Sequence, residues 1–298
     1  MGVVEPTGRR IVAHGHLATG DQRPLNGDTI FEIGSVTKVC TSLLLADMVS
    51  RKEVALEDPA AKYLPEQVKM PQRNGKAITL HDLATHTSGL PPLPSNFRSK
   101  DMRNPYADYT VDDLYQFLSS FELPRDPGSE FEYSNLGAGL LGHILARRAG
   151  MDYESLIRTR ITEPLQMQDT RITLSPSMQQ RMATGHTAML APAPNWDLPT
   201  LAGAGALRSS VNDMLTFLEA FLGYKESPLA PAMKTMLEVR RPTGQGTGAI
   251  GLGWIIMCPH DREIVAHDGG TGGFRAWLGY DPKERTGVVV LSLSLIHI

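Results

Sequence analysis

Two periodicities divide the chain. Between residues 36 and 49 apolar side chains recur at roughly helical spacing, which predicts a helix. Beyond Leu222 the spacing turns strand-like: residues 251–257, 263–267, 274–280 and 287–293 read as four strands, joined by turns such as Cys258 to Asp261 and Asp281 to Glu284. Near the other end, residues 10–15 form a strand-like run that Gly20, Pro24 and Gly27 turn back towards Thr29, Ile30 and Phe31, so antiparallel sheet is expected there too.

Between these regions the pattern is mostly helix and loop. Residues 78–86 read as a short helix stopped by Ser88, Gly89 and Pro91. Residues 91–105, rich in Pro, Ser and Asn, form a loop long enough to wall a site. Thr110 and Asp113 make a capping-box-like start to a helix over 114–121, and Asp126-Pro127-Gly128 is a turn leading to Tyr133. Helices follow over 136–149, ended by Gly150, over 153 to about 162, and from the Ser210 cap to Leu222. The expected fold is α/β. An antiparallel sheet flanked by helices comes from residues 1–55 and 195–298, a mainly helical region from 56–194 is inserted, and the active site lies between them.

Composition narrows the function. With 298 residues, 41% hydrophobic and 20% charged, the chain can fill one large or two modest domains. A net charge of −3 with no dense basic run gives no reason to expect nucleic acid, so a small molecule is the expected partner. The two cysteines, Cys40 and Cys258, exclude a disulfide framework, and no Cys/His spacing suits zinc. No apolar stretch is long enough to span a membrane, and no basic-then-apolar leader is visible. The chain as it stands is therefore expected in the cytoplasm, or in the periplasm if it lacks its natural start.

Ser35 and Lys38 carry the candidate chemistry. They stand three apart at the start of the 36–49 helix, on one face, where Lys38 can reach the Ser35 oxygen. A desolvated lysine there would lose its proton readily enough to take one from the hydroxyl. The Ser35 N–H, at the positive end of the helix, could help hold an oxyanion. The ordinary alternative is an N-cap serine followed by a solvated lysine.

Two further segments decide between these. Tyr133-Ser134-Asn135 follows the turn, and His267-Asp268-Gly269-Gly270-Thr271-Gly272-Gly273-Phe274 ends a strand. With Ser35/Lys38, in this order, the set resembles the class C β-lactamase and penicillin-binding serine hydrolases, a family that includes esterases and D-amino-acid peptidases. Residues 83–90 and 205–210 also look like the family's connecting segments. The resemblance implies a β-lactamase/transpeptidase-like fold. It makes Ser35 the acylated nucleophile, Lys38 its proton acceptor and Tyr133 the proton relay. Asn135 would bond Lys38 and the substrate, and the N–H of Gly270 would be the second oxyanion donor. Gly269 and Gly270 keep the strand edge bare for substrate.

The third segment departs from the lactamase form, with His267 where those enzymes have Lys and Asp268 where they have Thr. His267 could still donate towards Tyr133. Asp268 would disfavour a substrate carboxylate, and Arg275 would counter it. His at this place also resembles the esterase and D-peptidase branches. A small carboxylic ester is therefore the first expected substrate, with weak β-lactam hydrolysis beside it. A class C-like β-lactamase, a D-amino-acid peptidase and a non-turnover penicillin-binding sensor are the alternatives. No metal or organic cofactor is implied. The helices that family members place before the first strand and after the last are not evident, which predicts an uncovered apolar sheet face, reduced stability and association through that face. His81 and His86 are assigned to surface or packing roles, His143 to a buried hydrogen bond, and Trp196 and Tyr106 to loops near the site.

Overall fold

Alternating burial along three long strands sets up the architecture. In the computed structural model, which describes residues 1–18, 20–244 and 248–293, one antiparallel sheet contains eight strands among those residues. In chain order they are β1 (Gly2–Glu5), β2 (Gly8–Ile11), β3 (Arg241–Pro242), β4 (Ala249–Ile250), β5 (Ile255–Met257), β6 (Ile264–Gly270), β7 (Arg275–Asp281) and β8 (Thr286–Ser292). Their order in the sheet is β2-β1-β8-β7-β6-β5-β4-β3, so the N-terminal hairpin closes against the last strand, with Gly2 opposite Val289. Val265, His267, Leu278, Tyr280 and Val289 are buried on one face, while Ile264, Trp277, Val288 and Val290 stay half-exposed on the other.

The buried face packs on helices. α1 (Thr37–Ser50) is enclosed from Thr37 to Met48, so it is the central core helix and has no solvent stripe. Leu43, Leu44 and Leu45 are each fully buried in it; truncating any one to Ala would cost about 2–5 kcal/mol. Around it stand α2 (Leu80–Ala84), α3 (Val111–Ser120), α4 (Asn135–Ala149), α5 (Val211–Phe221) and α6 (Ala230–Glu238). Local chemistry fixes their starts. Thr79 with Asp82 and Thr110 with Asp113 each form a reciprocal capping box. Ser210 accepts the Asp213 N–H at the head of α5, and Gly150 ends α4 at φ 66°.

Four expectations need correction. The first strands are Gly2–Glu5 and Gly8–Ile11, a hairpin turned at Pro6 and Thr7, not a run over 10–15. Ile30–Glu32 does not join this sheet but pairs with Arg208–Ser210. Beyond Leu222 the chain first makes helix α6, whose Pro231 sits in the first turn, where proline costs no hydrogen bond. Finally, the helix over 153 to about 162 is α-helical only to Ile157 and continues as a π-turn over Arg158–Thr162.

Candidate active site

Ser35 lies in the short 3₁₀ turn Gly34–Val36 that leads into α1, and its side chain caps nothing. The N-cap alternative is thus excluded. The turn exists because Gly34 takes φ +49°, and because the end of β6 comes so close that a Cβ on Gly34 would lie 2.6 Å from the Gly270 nitrogen. From the opposite side a Cβ on Gly269 would run into the Ile33 carbonyl and stand 3.0 Å from the Ser35 nitrogen. Two backbones therefore touch where Ser35 sits. This brings the N–H groups of Ser35 and Gly270 into one neighbourhood.

Lys38, in the first turn of α1, is 1% exposed. Its Nζ stands 2.8 Å from Ser35 Oγ, donates to the Ala204 carbonyl at 2.7 Å, and lies 4.9 Å from the centre of the Tyr133 ring. Burial lowers its pKa to about 7, against the opposing charge of Asp268. Near neutrality the amine is therefore half-deprotonated beside the hydroxyl. Tyr133 behaves oppositely: burial pushes its phenol well above the usual tyrosine value, with the neighbouring Ser35 hydroxyl pulling the other way. Tyr133 stays a neutral phenol at pH 7.

His267 is buried on the inner face of β6, its ring centre 6.2 Å from that of Tyr133. Burial first, then Lys38, lowers its pKa to about 4. Its Nδ1 lies 2.5 Å from the Asp268 carbonyl, which can only accept, so the neutral ring carries its proton on Nδ1. Nε2 is then a bare acceptor, and it has no partner among the described residues. The expectation of His267 donating towards Tyr133 is corrected accordingly. Asp268 is exposed, on the opposite side of the strand.

Asn135, at the first position of α4, bonds the Tyr106 hydroxyl at 3.3 Å and not Lys38 as expected. Tyr106, Trp196, Leu198, Gly205, Gly270 and Thr271 surround Ser35 in a narrow cleft with a volume of about 30 Å³. A larger groove lined by His143, Arg147 and Tyr153 lies elsewhere and contains none of these groups.

Sequence reasoning missed three contributors. Glu32, 3% exposed, accepts the Trp196 N–H at 2.9 Å and the Arg208 guanidinium at 3.3 Å. Arg208 also donates to the Trp196 carbonyl at 3.0 Å, so one buried ion pair grips both sides of the residue that walls the cleft. Burial raises the Glu32 pKa, with Thr271 and Arg208 opposing. The available signal was a lone carboxylate inside the apolar run Ile30, Phe31, Ile33. The third is His86, whose ring packs on Tyr133 with centres 4.5 Å apart. His81 Nδ1 instead lies 2.9 Å from a Glu57 carboxylate oxygen, His143 bonds the Tyr115 hydroxyl, and no metal-holding group of His, Cys, Asp and Glu exists among the described residues.

Relatives give this geometry a family. The sequence profile of the family described as Beta-lactamase matches residues 3–295. The chain belongs to the beta-lactamase family. It is 33% identical over 293 residues to the D-alanyl-D-alanine-carboxypeptidase/endopeptidase AmpH of Escherichia coli (strain K12), across 91% of this chain and 74% of that one. The beta-lactamase/D-alanine carboxypeptidase of Yersinia pestis superposes at a TM-score of 0.86 with 28% identity, over 98% of this chain and 86% of that chain. The class C beta lactamase of Rhodobacter sphaeroides gives 0.85 and 28%, over 98% and 88%. This beta-lactamase-family chain therefore has the β-lactamase/transpeptidase fold and is a serine hydrolase related to penicillin-binding proteins.

Proposed function

We propose that the chain hydrolyses small neutral acyl compounds, carboxylic esters first, through an acyl-enzyme on Ser35. The 2.8 Å approach of the buried Lys38 Nζ to Ser35 Oγ carries this reading, and burial lowers the pKa of that amine so that it can accept a proton. Lys38 Nζ takes the hydroxyl proton as Oγ bonds to the substrate carbonyl carbon, and the oxyanion sits between the Ser35 and Gly270 N–H groups. When the carbonyl re-forms, the bond to the leaving group breaks and the leaving group receives a proton from Lys38, through the neutral Tyr133 phenol. Water then attacks the acyl carbon, with Lys38 again accepting the proton, and Ser35 is regenerated.

The preference for a neutral substrate rests on charge. Neither the uncharged His267 nor the exposed Asp268 at the end of β6 offers a cation to a substrate carboxylate, while an ester needs none. Cleavage of D-alanyl peptides is the second reading. It is supported by the named activities of the AmpH and Yersinia pestis relatives and by the Arg275 guanidinium lying against Gly270, where it can meet a terminal carboxylate.

One paired assay tests both: p-nitrophenyl acetate, nitrocefin and a D-alanyl-D-alanine peptide, each with wild type and Ser35→Ala. Ester turnover lost in the variant, with little on the other two, is the expected result. Efficient peptide or nitrocefin cleavage replaces the ester preference. Fluorescent penicillin held on Ser35 for hours without turnover replaces hydrolysis with a sensor role.

A further inference from the structure

His86 is a buried imidazole packed on the reacting cluster to which the proposed reaction gives no task. It is 3% exposed and lies just beyond α2, at φ 55°. Its carbonyl accepts the Glu132 N–H at 2.8 Å, and its Nδ1 accepts the Ser134 N–H at 3.1 Å. The amides on the two sides of Tyr133 thus both end on one residue. Between those two anchors the His86 ring lies on the Tyr133 ring, tilted by 32°, and Phe131 meets the His86 ring edge-on with centres 5.9 Å apart. We propose that His86 is the positioning residue for Tyr133, fixing backbone and ring together so that the phenol stays beside Ser35.

Each feature of the residue fits that task. The left-handed backbone turns the carbonyl and the ring of His86 towards the same tripeptide, a conformation that Asn tolerates and most other residues resist. Because Nδ1 accepts, the ring proton is on Nε2, and the neutral form is required, since an imidazolium has no lone pair for the Ser134 N–H. Burial first, then the nearby Lys38 and His267, hold the pKa well below the usual imidazole value and so keep that form. The ring contributes a flat apolar face against the phenol. Losing the clamp would let the phenol drift, and a misplacement of about 1 Å costs on the order of a hundredfold in rate. The kinetic consequence rests on the reading of Tyr133 as a group serving Ser35. The positional consequence does not.

The experiment therefore has two arms. In the first, 3-fluorotyrosine replaces tyrosine, and the Tyr133 ¹⁹F resonance, assigned by its disappearance in Tyr133→Phe, is compared in wild type, His86→Asn and His86→Phe. Asn keeps an acceptor near the Nδ1 position and the backbone angle but removes the ring; Phe keeps the ring and removes the acceptor. Both are expected to shift or broaden this resonance while folding cooperatively, and an unmoved resonance in both overturns the proposal. In the second arm, His86→Phe is expected to lower kcat for p-nitrophenyl acetate about 10- to 100-fold with KM within about twofold. In a Tyr133→Phe background it is expected to cost less than about twofold. Equal losses in both backgrounds mean that His86 acts on the fold generally and not through Tyr133. If hydrolysis is indifferent to Ser35→Ala, the proposed reaction falls, and the ¹⁹F arm still decides the positioning role.

Discussion

Lys38 Nζ donates to the carbonyl of Ala204, 166 residues further along the chain, at 2.7 Å, while the same nitrogen stands 2.8 Å from Ser35 Oγ. A neutral amine satisfies both contacts, since one N–H goes to the carbonyl and the lone pair receives the serine proton. An ammonium also fits, donating to both oxygens, but it has no lone pair with which to take the serine proton, and burial opposes its charge. The base form becomes the major one only above the lowered pKa of about 7, so log kcat/KM for p-nitrophenyl acetate should rise with unit slope below about pH 7 and level off above it. Lys38→Arg, which stays charged at every accessible pH, should lose on the order of a thousandfold or more with no recovery at high pH. A flat profile between pH 5 and 8 would remove Lys38 from the role of base.

The grip of Glu32 and Arg208 on Trp196 links stability to the shape of the cleft. Both charges are nearly enclosed, so removing Arg208 strands Glu32 in a low-dielectric site, at a cost of about 3–5 kcal/mol, whereas removing Glu32 leaves Arg208 paired with Asp197 at 3.5 Å. Glu32→Gln keeps a carbonyl acceptor for the Trp196 N–H, whereas Arg208→Met removes both the charge and the bond to the Trp196 carbonyl. Urea unfolding should show Arg208→Met as the more destabilised. The double variant Glu32→Gln/Arg208→Met should be less unstable than the sum of the singles, as expected of coupled partners. Additive losses would mean that the two side chains do not act as a pair.

How far the sequence shows this arrangement depends on the range of the interaction. Ser35 and Lys38 are legible because helix geometry alone brings residues three apart together. The capping box at Thr110 and the α4 stop at Gly150 are local in the same sense. Glu32 is not legible, since its meaning comes from Arg208, 176 positions away. Nor is that of His86, which depends on the chain returning at residues 132–134. The partner of Asn135 is not legible either, because Tyr106, on a loop without periodicity, captures its amide. Helix α6 was hidden by Pro231, which reads as a breaker unless its place in the first turn is known.

Buried neutral histidines make the fold sensitive to acid. His267 and His143 both have pKa values lowered to about 4, and His86 lies well below the usual value, in every case mainly through burial. Above about pH 6.5 these rings are neutral in both folded and unfolded chains and add nothing. As pH falls from 6.5 towards 4 the unfolded chain binds protons that the folded one refuses, so stability is lost across that window. The Tm should therefore fall between pH 7 and 4.5. His143→Gln, distant from Ser35, should flatten part of that fall. Burial raises the pKa of Asp213 to about 6 and that of Glu32 as well, and these pull the other way over the same range, so an unchanged pH slope in His143→Gln would contradict neutral burial.

The two glycines at the end of β6 should respond differently to the same methyl group. At Gly269 a Cβ meets the Ile33 carbonyl and the Ser35 nitrogen, both backbone atoms in the turn that holds Ser35. Neither can move without displacing the proposed oxyanion site. At Gly270 the nearest atoms belong to the Arg275 side chain, whose guanidinium can swing away. Gly269→Ala should therefore cost about a hundredfold or more in kcat/KM, comparable to the loss of an oxyanion donor. Gly270→Ala should cost about tenfold or less, and Arg275→Ala should relieve part of that loss, because the obstruction is the flexible chain and not the backbone. The comparison is made by p-nitrophenyl acetate kinetics on the four variants with their folding checked by circular dichroism. Equal losses at the two glycines would mean that the contact of β6 with the Ser35 turn does not set the rate.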